Sequence, residues 1–482
     1  MERWRNLRHP GPKRSSGPWR NCGNIYCVEI HRVKTVVKRS YDVIVIGAGA
    51  SGMTAAIAAL EEAQIHDGTA DRGSVLLLES NDRVGKKILA TGNGKCNFTH
   101  EKIGGTHYHT DDRSVLEAVI SGFPTEAALD FFARLGMLSR EKNGYFYPLP
   151  ETASTVLEVL RLRLSELGCE ISCGVSVEGI EKKSGGFQIC FAEGGKNRLV
   201  YADSVILATG SRAGGFLQSK NADPLGPAKC LGLRSTALYP SLTRCICLED
   251  FYYRQLAGVR SHVRLKLYEE NRAAGRKFLR QEEGELQLTK EGISGIVVFQ
   301  LSGEIACMLS EKKRAIVEIN FLPEFLEGEL SGWIEKRLSL LPGRCLKDFF
   351  LGVLHKKVLD VCLQAEGLKG TQEIPCENRR KSFQMVSSVM ERALHFTTEV
   401  TGVSDMRQAQ VCRGGLILSQ FDTKLECRTL AGCFACGEVL NVDGECGGYN
   451  LHFAWGSGLL AGREAMKRAL KNRRGRGNDG RK

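Results

Sequence analysis

The sequence lacks any clean apolar run of membrane length. Its one 18-residue apolar stretch, Val43 to Leu60, is interrupted by Gly47, Gly49 and Gly52, so no membrane span is read. The first 40 residues lack the apolar core of a secretory signal. They hold Trp4, Trp19 and scattered Pro and Gly, and they read as a basic, disordered leader that carries none of the functional residues. A second CxxC at zinc-finger spacing is missing. Cys433 and Cys436 lie in an apolar strand-like run where i and i+3 side chains face opposite ways, so no metal site is read. No second GxGxxG follows a strand, which excludes a dedicated nicotinamide-binding domain. The body of the chain also lacks the basic excess of a nucleic-acid binder. Of the net charge of +12, residues 1–40 carry +8 and residues 463–482 carry +7, leaving −3 between them. Contact with RNA or another anionic surface is left to the two ends, with 467–482 read as a basic tail.

At 482 residues the chain exceeds one ordinary core, and two or three domains are expected. Eighteen cysteines in a chain this long, with no signal, exclude a small disulfide scaffold. They fit a reducing cytoplasm, the expected location.

The first strong signal is YDVIVIGAGASGMTAAIAALEE. Asp42–Ile46 is a β-branched run suited to a strand buried on both faces. Gly47-Ala48-Gly49-Ala50-Ser51-Gly52 is a GxGxxG turn, and Met53 to Glu62 is Ala-rich and helix-forming. Gly47 permits the tight turn, Gly49 lets the backbone approach a pyrophosphate, and Gly52 lets helix and strand pack closely. The helix start then offers unpaired N–H groups and a positive dipole end to phosphates. A second strand, Val75–Leu78, ends in Glu79, whose carboxylate is expected to accept from ribose hydroxyls. The polar stretch 66–74 is read as an inserted loop before it.

Two further strands end in glycine. Ser204 to Gly210 closes in Ala208-Thr209-Gly210, and Cys433 to Glu438 closes in Gly437-Glu438, followed by Asp443 and Gly447-Gly448. Glu438 is suited to a ribityl chain. A helix from Tyr449 through Gly462 would direct its N-terminal N–H groups at flavin O2 and N1, where reduced flavin carries negative charge. The fold class read is α/β, a doubly wound Rossmann-like FAD-binding domain.

With TGNGKCN (91–97) and CGGYN (446–450) in view, the chain resembles the YhiN/BaiN-type family of FAD-dependent oxidoreductases over about residues 41–466. The blocks 251–260, 284–302 and 408–416 agree. The resemblance implies an FAD-binding domain split into 41–211 and 403–466. An insert, 212–402, would cap the flavin and shape the substrate pocket, with a β-rich portion (235–322) and a helical portion (323–395). It implies cofactor contacts from Ala50 and Ser51 of the first turn and from Ser80 and Lys87. Thr91, Gly92, Asn93, Gly94, Cys96 and Asn97 of the second loop join them, with Val177, and with Gly448, Tyr449, Asn450 and Leu451 at the last helix. One departure stands out: the segment after Thr209-Gly210, residues 211–232, lacks the family's usual GDG-like glycine stretch.

The chemistry implied is reduction of a C=C bond conjugated to a carbonyl, by hydride transfer from flavin N5 with NAD(P)H as donor. Charge moving onto the carbonyl oxygen needs hydrogen-bond donors, and an acid supplies a proton. Cys446, Tyr449 and His452 are the candidate catalytic residues. The favoured substrate is a 3-oxo-Δ4,Δ6 bile acid. The alternatives are the uracil C5=C6 bond of ribosomal RNA, reached through the basic ends, and an FAD-binding protein with a sensing, non-catalytic role.

Overall fold

The structure, a computed structural model, describes residues 40–66, 73–216, 223–271, 273, 275–325 and 328–479. The basic leader apart from Ser40, most of the inserted loop 66–74, residues 217–222 of the altered segment and residues 480–482 lie outside the described residues.

Strand β1 (Ser40–Ile46) is buried from Tyr41 onward, as its β-branched run predicts. It leads through the glycine turn into helix α1 (Ala50–His66), longer at both ends than the Ala-rich stretch alone marks. Strand β2 (Val75–Glu79) returns parallel to β1. Strands β3 (Glu170–Cys173), β4 (Ser176–Lys183), β5 (Gly186–Glu193) and β6 (Lys196–Leu207) complete a sheet of order β3-β2-β1-β6-β5-β4. The β3-β2-β1-β6 part is parallel, whereas β4, β5 and the first half of β6 form an antiparallel meander. Cys433–Ala435 pairs in parallel with the last residues of β6, so a segment late in the chain returns to the same sheet.

The insert contains a closed barrel. Its strands β7 (Cys245–Cys247), β8 (Arg260–Asn271), β9 (Gly275–Leu288), β10 (Gly292–Ser294), β11 (Arg314–Asn320) and β12 (Phe396–Val403) pair in the order β7-β10-β9-β8-β11-β12. Val263, Leu265 and Leu267 alternate inward on β8 as a two-residue period requires. The stretch expected to be β-rich also holds a 15-residue helix, α2 (Ile296–Ser310). IVVFQLSG at 296–303 is therefore helical, with Val297, Val298 and Leu301 turned to the barrel core, because length and burial override its β-branched start. Helices Leu330–Leu340, Lys356–Ala365 and Arg379–Leu394 pack on the same core, so barrel and helices share one apolar interior.

The final helix, α3, runs from Tyr449 to Asp479, not to Gly462. Gly458 and Gly462 do not stop it because they are contact points with α1. A Cβ on Gly462 would sit 2.0 Å from the Ala55 carbonyl oxygen, and one on Gly458 2.4 Å from that of Ser51. The stretch read as a basic tail is thus helical as far as Asp479. Two of its cations are tied to the fold, Arg468 2.9 Å from Glu426 and Arg473 paired with Asp42, and Arg463 just before it lies 3.8 Å from Glu62. Among the described residues no helix is long and apolar enough to cross a membrane. The run Val43–Leu60 is strand, turn and helix.

Candidate cofactor and active site

Each glycine of the first turn does a separate job. Gly47 has φ +104°, and a Cβ there would lie 2.3 Å from the Ala208 carbonyl oxygen, at the end of β6. A Cβ on Gly52 would lie 1.8 Å from the Gly47 carbonyl oxygen. A Cβ on Gly49 would meet nothing within 4 Å, so the backbone at that position borders open space at the start of α1. That is the geometry a pyrophosphate needs. Ala50 is half-buried there, and Ser51 is buried with its hydroxyl donating to the Cys436 carbonyl.

Glu79 closes this turn from β2. Its Oε2 accepts from the Ala48 N–H at 2.8 Å, and its Oε1 from the Asn81 backbone N–H and side-chain amide, both at 2.8 Å. Ser80 is exposed and reaches only Glu79, at 3.4 Å. Val177 is half-buried on β4 opposite Phe191. Val175, two positions earlier, is the residue that touches this corner, donating its N–H to the Glu79 carbonyl at 3.0 Å. The periodicity of the strand carries no signal that separates the two.

The second loop is held in left-handed backbone. Gly92, Asn93, Gly94 and Cys96 have φ of 54°, 54°, 82° and 57°, unusual for the two that are not glycine. Gly92, Asn93 and Gly94 are exposed at its outer edge. The Thr91 hydroxyl donates to the Ile88 carbonyl at 2.6 Å. Cys96 points inward, fully buried, and burial pushes its thiol up to about 12. Asn97 turns toward the last helix: a Cβ on Gly448 would be 2.9 Å from Asn97 Oδ1. The two recognised motifs, TGNGKCN and CGGYN, therefore meet.

Lys87 and Glu438 join the first and last segments at 2.5 Å, and Glu438 also accepts from the Ser211 hydroxyl (2.9 Å) and the Cys412 N–H (3.0 Å). Gly437, at φ +73°, donates to the Ser457 hydroxyl at 3.0 Å. Asp443 is buried and accepts from Arg413 Nε at 3.1 Å. Arg413, from the 408–416 block, is a partner that charge spacing did not reveal.

The loop 443–450 starts α3. Asn450 fastens it: its Oδ1 accepts from the Gly444 N–H and its Nδ2 donates to the Gly444 carbonyl, both at 2.8 Å. Leu451 is half-buried in the first turn. The Tyr449 ring lies between two imidazoles, stacked on His100 with centroids at 5.0 Å and on His107 at 4.7 Å. Burial, with Glu445 adding to it, holds the Tyr449 hydroxyl above the usual tyrosine range. Burial also pushes the Cys446 thiol up to about 11, so it keeps its proton at neutral pH. His452 behaves differently from its neighbours. It is buried, its Nδ1 pairs with the Thr99 hydroxyl and its Nε2 with the Phe123 carbonyl, both at 2.7 Å, leaving neither nitrogen for a ligand. Burial takes it down to about 4, so the ring is neutral.

Two contacts from the insert hold this loop. Arg280 on β9 bonds Glu445, which also binds His107 Nδ1 at 2.8 Å, and Gln300 on α2 accepts from the Cys446 N–H at 2.9 Å.

The fit to a dinucleotide flavin rests on the polar atoms these loops leave over. Buried side-chain oxygens without a hydrogen-bond partner include Asn81 Oδ1, Asn97 Oδ1, Thr209 Oγ1, Asn441 Oδ1 and Asp443 Oδ1, the last with His109 Nδ1 3.3 Å away. They occur on the β2 end, the second loop, the β6 end and the 437–448 segment, the elements expected around a flavin nucleotide. Such atoms are costly unless a ligand or water meets them. Gly94 and Gly210, like Gly49, border open space. Cys433 and Cys436 are both buried, and among the described residues no three His, Cys, Asp or Glu side chains are grouped to hold a metal ion.

Comparison with known proteins shows the family. A family model described as "HI0933-like protein Rossmann domain" matches residues 41–464. A relative from Clostridium scindens named 3-dehydro-bile acid delta(4,6)-reductase is 35% identical over 426 residues, which cover 88% of this chain and 98% of that protein. A ribosomal RNA dihydrouridine synthase from Haemophilus influenzae is 25% identical over 425 residues, covering 86% and 96%. A solved 3-ketosteroid-delta4-(5alpha)-dehydrogenase from Rhodococcus jostii is 16% identical with a TM-score of 0.42, covering 90% of this chain and 98% of that one. The chain belongs to the HI0933-like family and is a flavin-dependent oxidoreductase built on a Rossmann-type domain.

Proposed function

We propose that this protein reduces a C=C bond conjugated to a carbonyl in a 3-oxo-Δ4,6 steroid acid, drawing electrons from NAD(P)H through FAD. The observation that carries the reading is the CGGYN corner, where a thiol and a phenol, both held protonated by burial, stand at the first residues of a long helix. The name of the Clostridium scindens relative supports the substrate class.

Bound FAD supplies the two electrons. The chain's own residues do the rest. The turn 47–52 and the start of α1 bind the pyrophosphate, and Lys87 and Glu438 lie along the path to the CGGYN corner. Tyr449 is the donor to the substrate carbonyl oxygen. Its ring is fixed by the flanking imidazoles, and its hydroxyl bonds no other described residue. Such a donor, fixed before reaction, stabilises the oxygen as negative charge develops there. Cys446 holds the proton for the carbon, with its backbone anchored by Gln300. The barrel and α2 cover the corner and keep water from it.

A second reading, uracil reduction in ribosomal RNA, is favoured by the Haemophilus influenzae relative's name and involves the same electronic pattern. The test is to reduce the FAD-loaded protein anaerobically and to offer the steroid acid and uracil-containing rRNA separately. Reoxidation by the steroid alone supports the first reading. Reoxidation by RNA alone replaces it with the second, and reoxidation by neither points to a non-catalytic role.

A further inference from the structure

Beside the CGGYN corner lies a cavity of about 200 Å³ whose polar lining the mechanism above leaves unused. Lys95, Lys142, Asn143, Tyr145, Tyr147 and Glu151 bound it. The hairpin Ser139–Lys142/Tyr145–Pro148 builds most of it, turning at Asn143 (φ 56°) and Gly144 (φ 82°). The two-residue period of the strand puts Tyr145 and Tyr147 on one face, opposite Lys142 and Arg140 in register. Glu141, one residue off that period, instead accepts from the Gly144 N–H.

The charges do not balance. Glu151 is shared between Lys95 (3.0 Å) and Arg140 (3.4 Å), while Lys142 acts on it from further off and is within ion-pair distance of no described carboxylate. In the lining itself two lysines thus face one carboxylate. Burial, with the nearby Cys446 thiol adding to it, holds the Tyr145 hydroxyl above its usual range, so it remains a donor. Ammonium groups donate and do not accept, and the one carboxylate of the lining is already engaged by Lys95 and Arg140, so the lining suits an anion. The tyrosine rings add apolar walls. At this size the cavity holds one end of a ligand, since whole small-molecule sites run to about 300–1,000 Å³.

Tyr145 is also a wall of the reaction corner. Its Cε1 would be 2.8 Å from a Cβ on Gly447, and its ring meets that of His100 edge-on at 5.1 Å. We propose that this cavity receives the carboxylate end of the substrate, with Lys142 and Lys95 as the groups that recognise it. The inference rests on the steroid-acid reading above, and adds what selects the acid.

The test compares the FAD-loaded wild type with Lys142→Gln and with the double variant Lys95→Gln/Lys142→Gln, using a 3-oxo-Δ4,6 steroid acid and its methyl ester. The wild type is expected to favour the acid in kcat/KM by about tenfold, the scale of a charge-assisted hydrogen bond, and the double variant to lose that preference. Lys142→Glu, at an exposed hairpin tip, is expected to invert it. An unchanged acid-to-ester ratio in the double variant overturns the inference while leaving steroid reduction standing. Should neither steroid be reduced, equilibrium dialysis with the saturated 3-oxo steroid acid decides separately. Retention that depends on the two lysines keeps the pocket and removes the reaction; no retention removes both. Displacement of the bound acid by an rRNA fragment, lost in the lysine variants, would assign the pocket to phosphate and overturn the carboxylate reading.

Discussion

Arg280 on barrel strand β9 and Glu445 in the loop before α3 meet at 2.5 Å, Nη2 to Oε1, and their pair fastens the insert to the corner where Tyr449 stands. Arg280 also holds Glu282 at 2.5 Å, so one guanidinium separates two carboxylates. Arg280→Met would leave those carboxylates facing each other. We expect a stability loss of about 2 kcal/mol, less than for a fully buried pair because both side chains keep some solvent contact. Urea unfolding measures it. A loss under about 0.5 kcal/mol would mean that the pair is screened like a surface bridge.

His452 is expected to hold structure and to take no part in turnover. His452→Phe strands the Thr99 hydroxyl and the Phe123 carbonyl, at an expected cost of about 2–3 kcal/mol. The flavin-loaded fraction should keep wild-type kcat. A large fall in kcat at full flavin occupancy would return His452 to the mechanism.

The same residue predicts a pH dependence. Its folded-state value, about 4, is below the ordinary 6.5, so between these values the unfolded chain binds a proton that the folded chain refuses. Its contribution is complete above pH 6.5 and is lost as pH falls toward 4. Urea midpoints at pH 7 and pH 5 should differ more for the wild type than for His452→Phe. Equal differences would exclude this titration.

Two glycines separate folding from binding. Gly49→Ala adds a methyl group to open space, so the thermal midpoint of the flavin-free protein should barely change while FAD affinity falls by about tenfold or more. Gly462→Ala forces a methyl against the Ala55 carbonyl and should destabilise by about 2 kcal/mol or more. If Gly49→Ala keeps full affinity, the pyrophosphate does not cross that turn.

On the proposed mechanism, Cys446 and Tyr449 divide the work in the oxidative half-reaction. Cys446→Ala and Tyr449→Phe should each slow reoxidation by substrate by about a hundredfold and leave reduction by NAD(P)H unaltered. Cys446→Ser, which still carries a proton, should recover part of the rate. An unchanged reoxidation rate in Cys446→Ala removes the thiol from the mechanism.

Local signals in the sequence were enough to read β1, the glycine turn, α1 and β2. Each is set within about 40 residues by β-branched runs, glycines and alanines. The return of Cys433–Ala435 to β6 was legible because its strand ends in the same glycine pattern. The barrel order was not, since antiparallel partners such as β11 and β12 are far apart in sequence and no period encodes their register. The end of α3 was missed because Gly456, Gly458 and Gly462 resemble helix breakers, yet the absence of side chains is what lets α1 approach. The burial of His452 was not legible for a related reason: a helix start fixes where a residue is, but not whether it faces the ligand or the interior. Arg413 and Arg280 gave no local clue, because their partners come from distant segments.

The packing of α3 on α1 also sets an order of events during synthesis. The glycine turn 47–52 is made nearly four hundred residues before α3, the helix α1 leans on. A growing polypeptide carries the glycine turn long before that support exists, so cofactor capture should await synthesis of α3. Loss of even the last few helical turns should then yield a protein that makes its barrel yet leaves the purification column without colour.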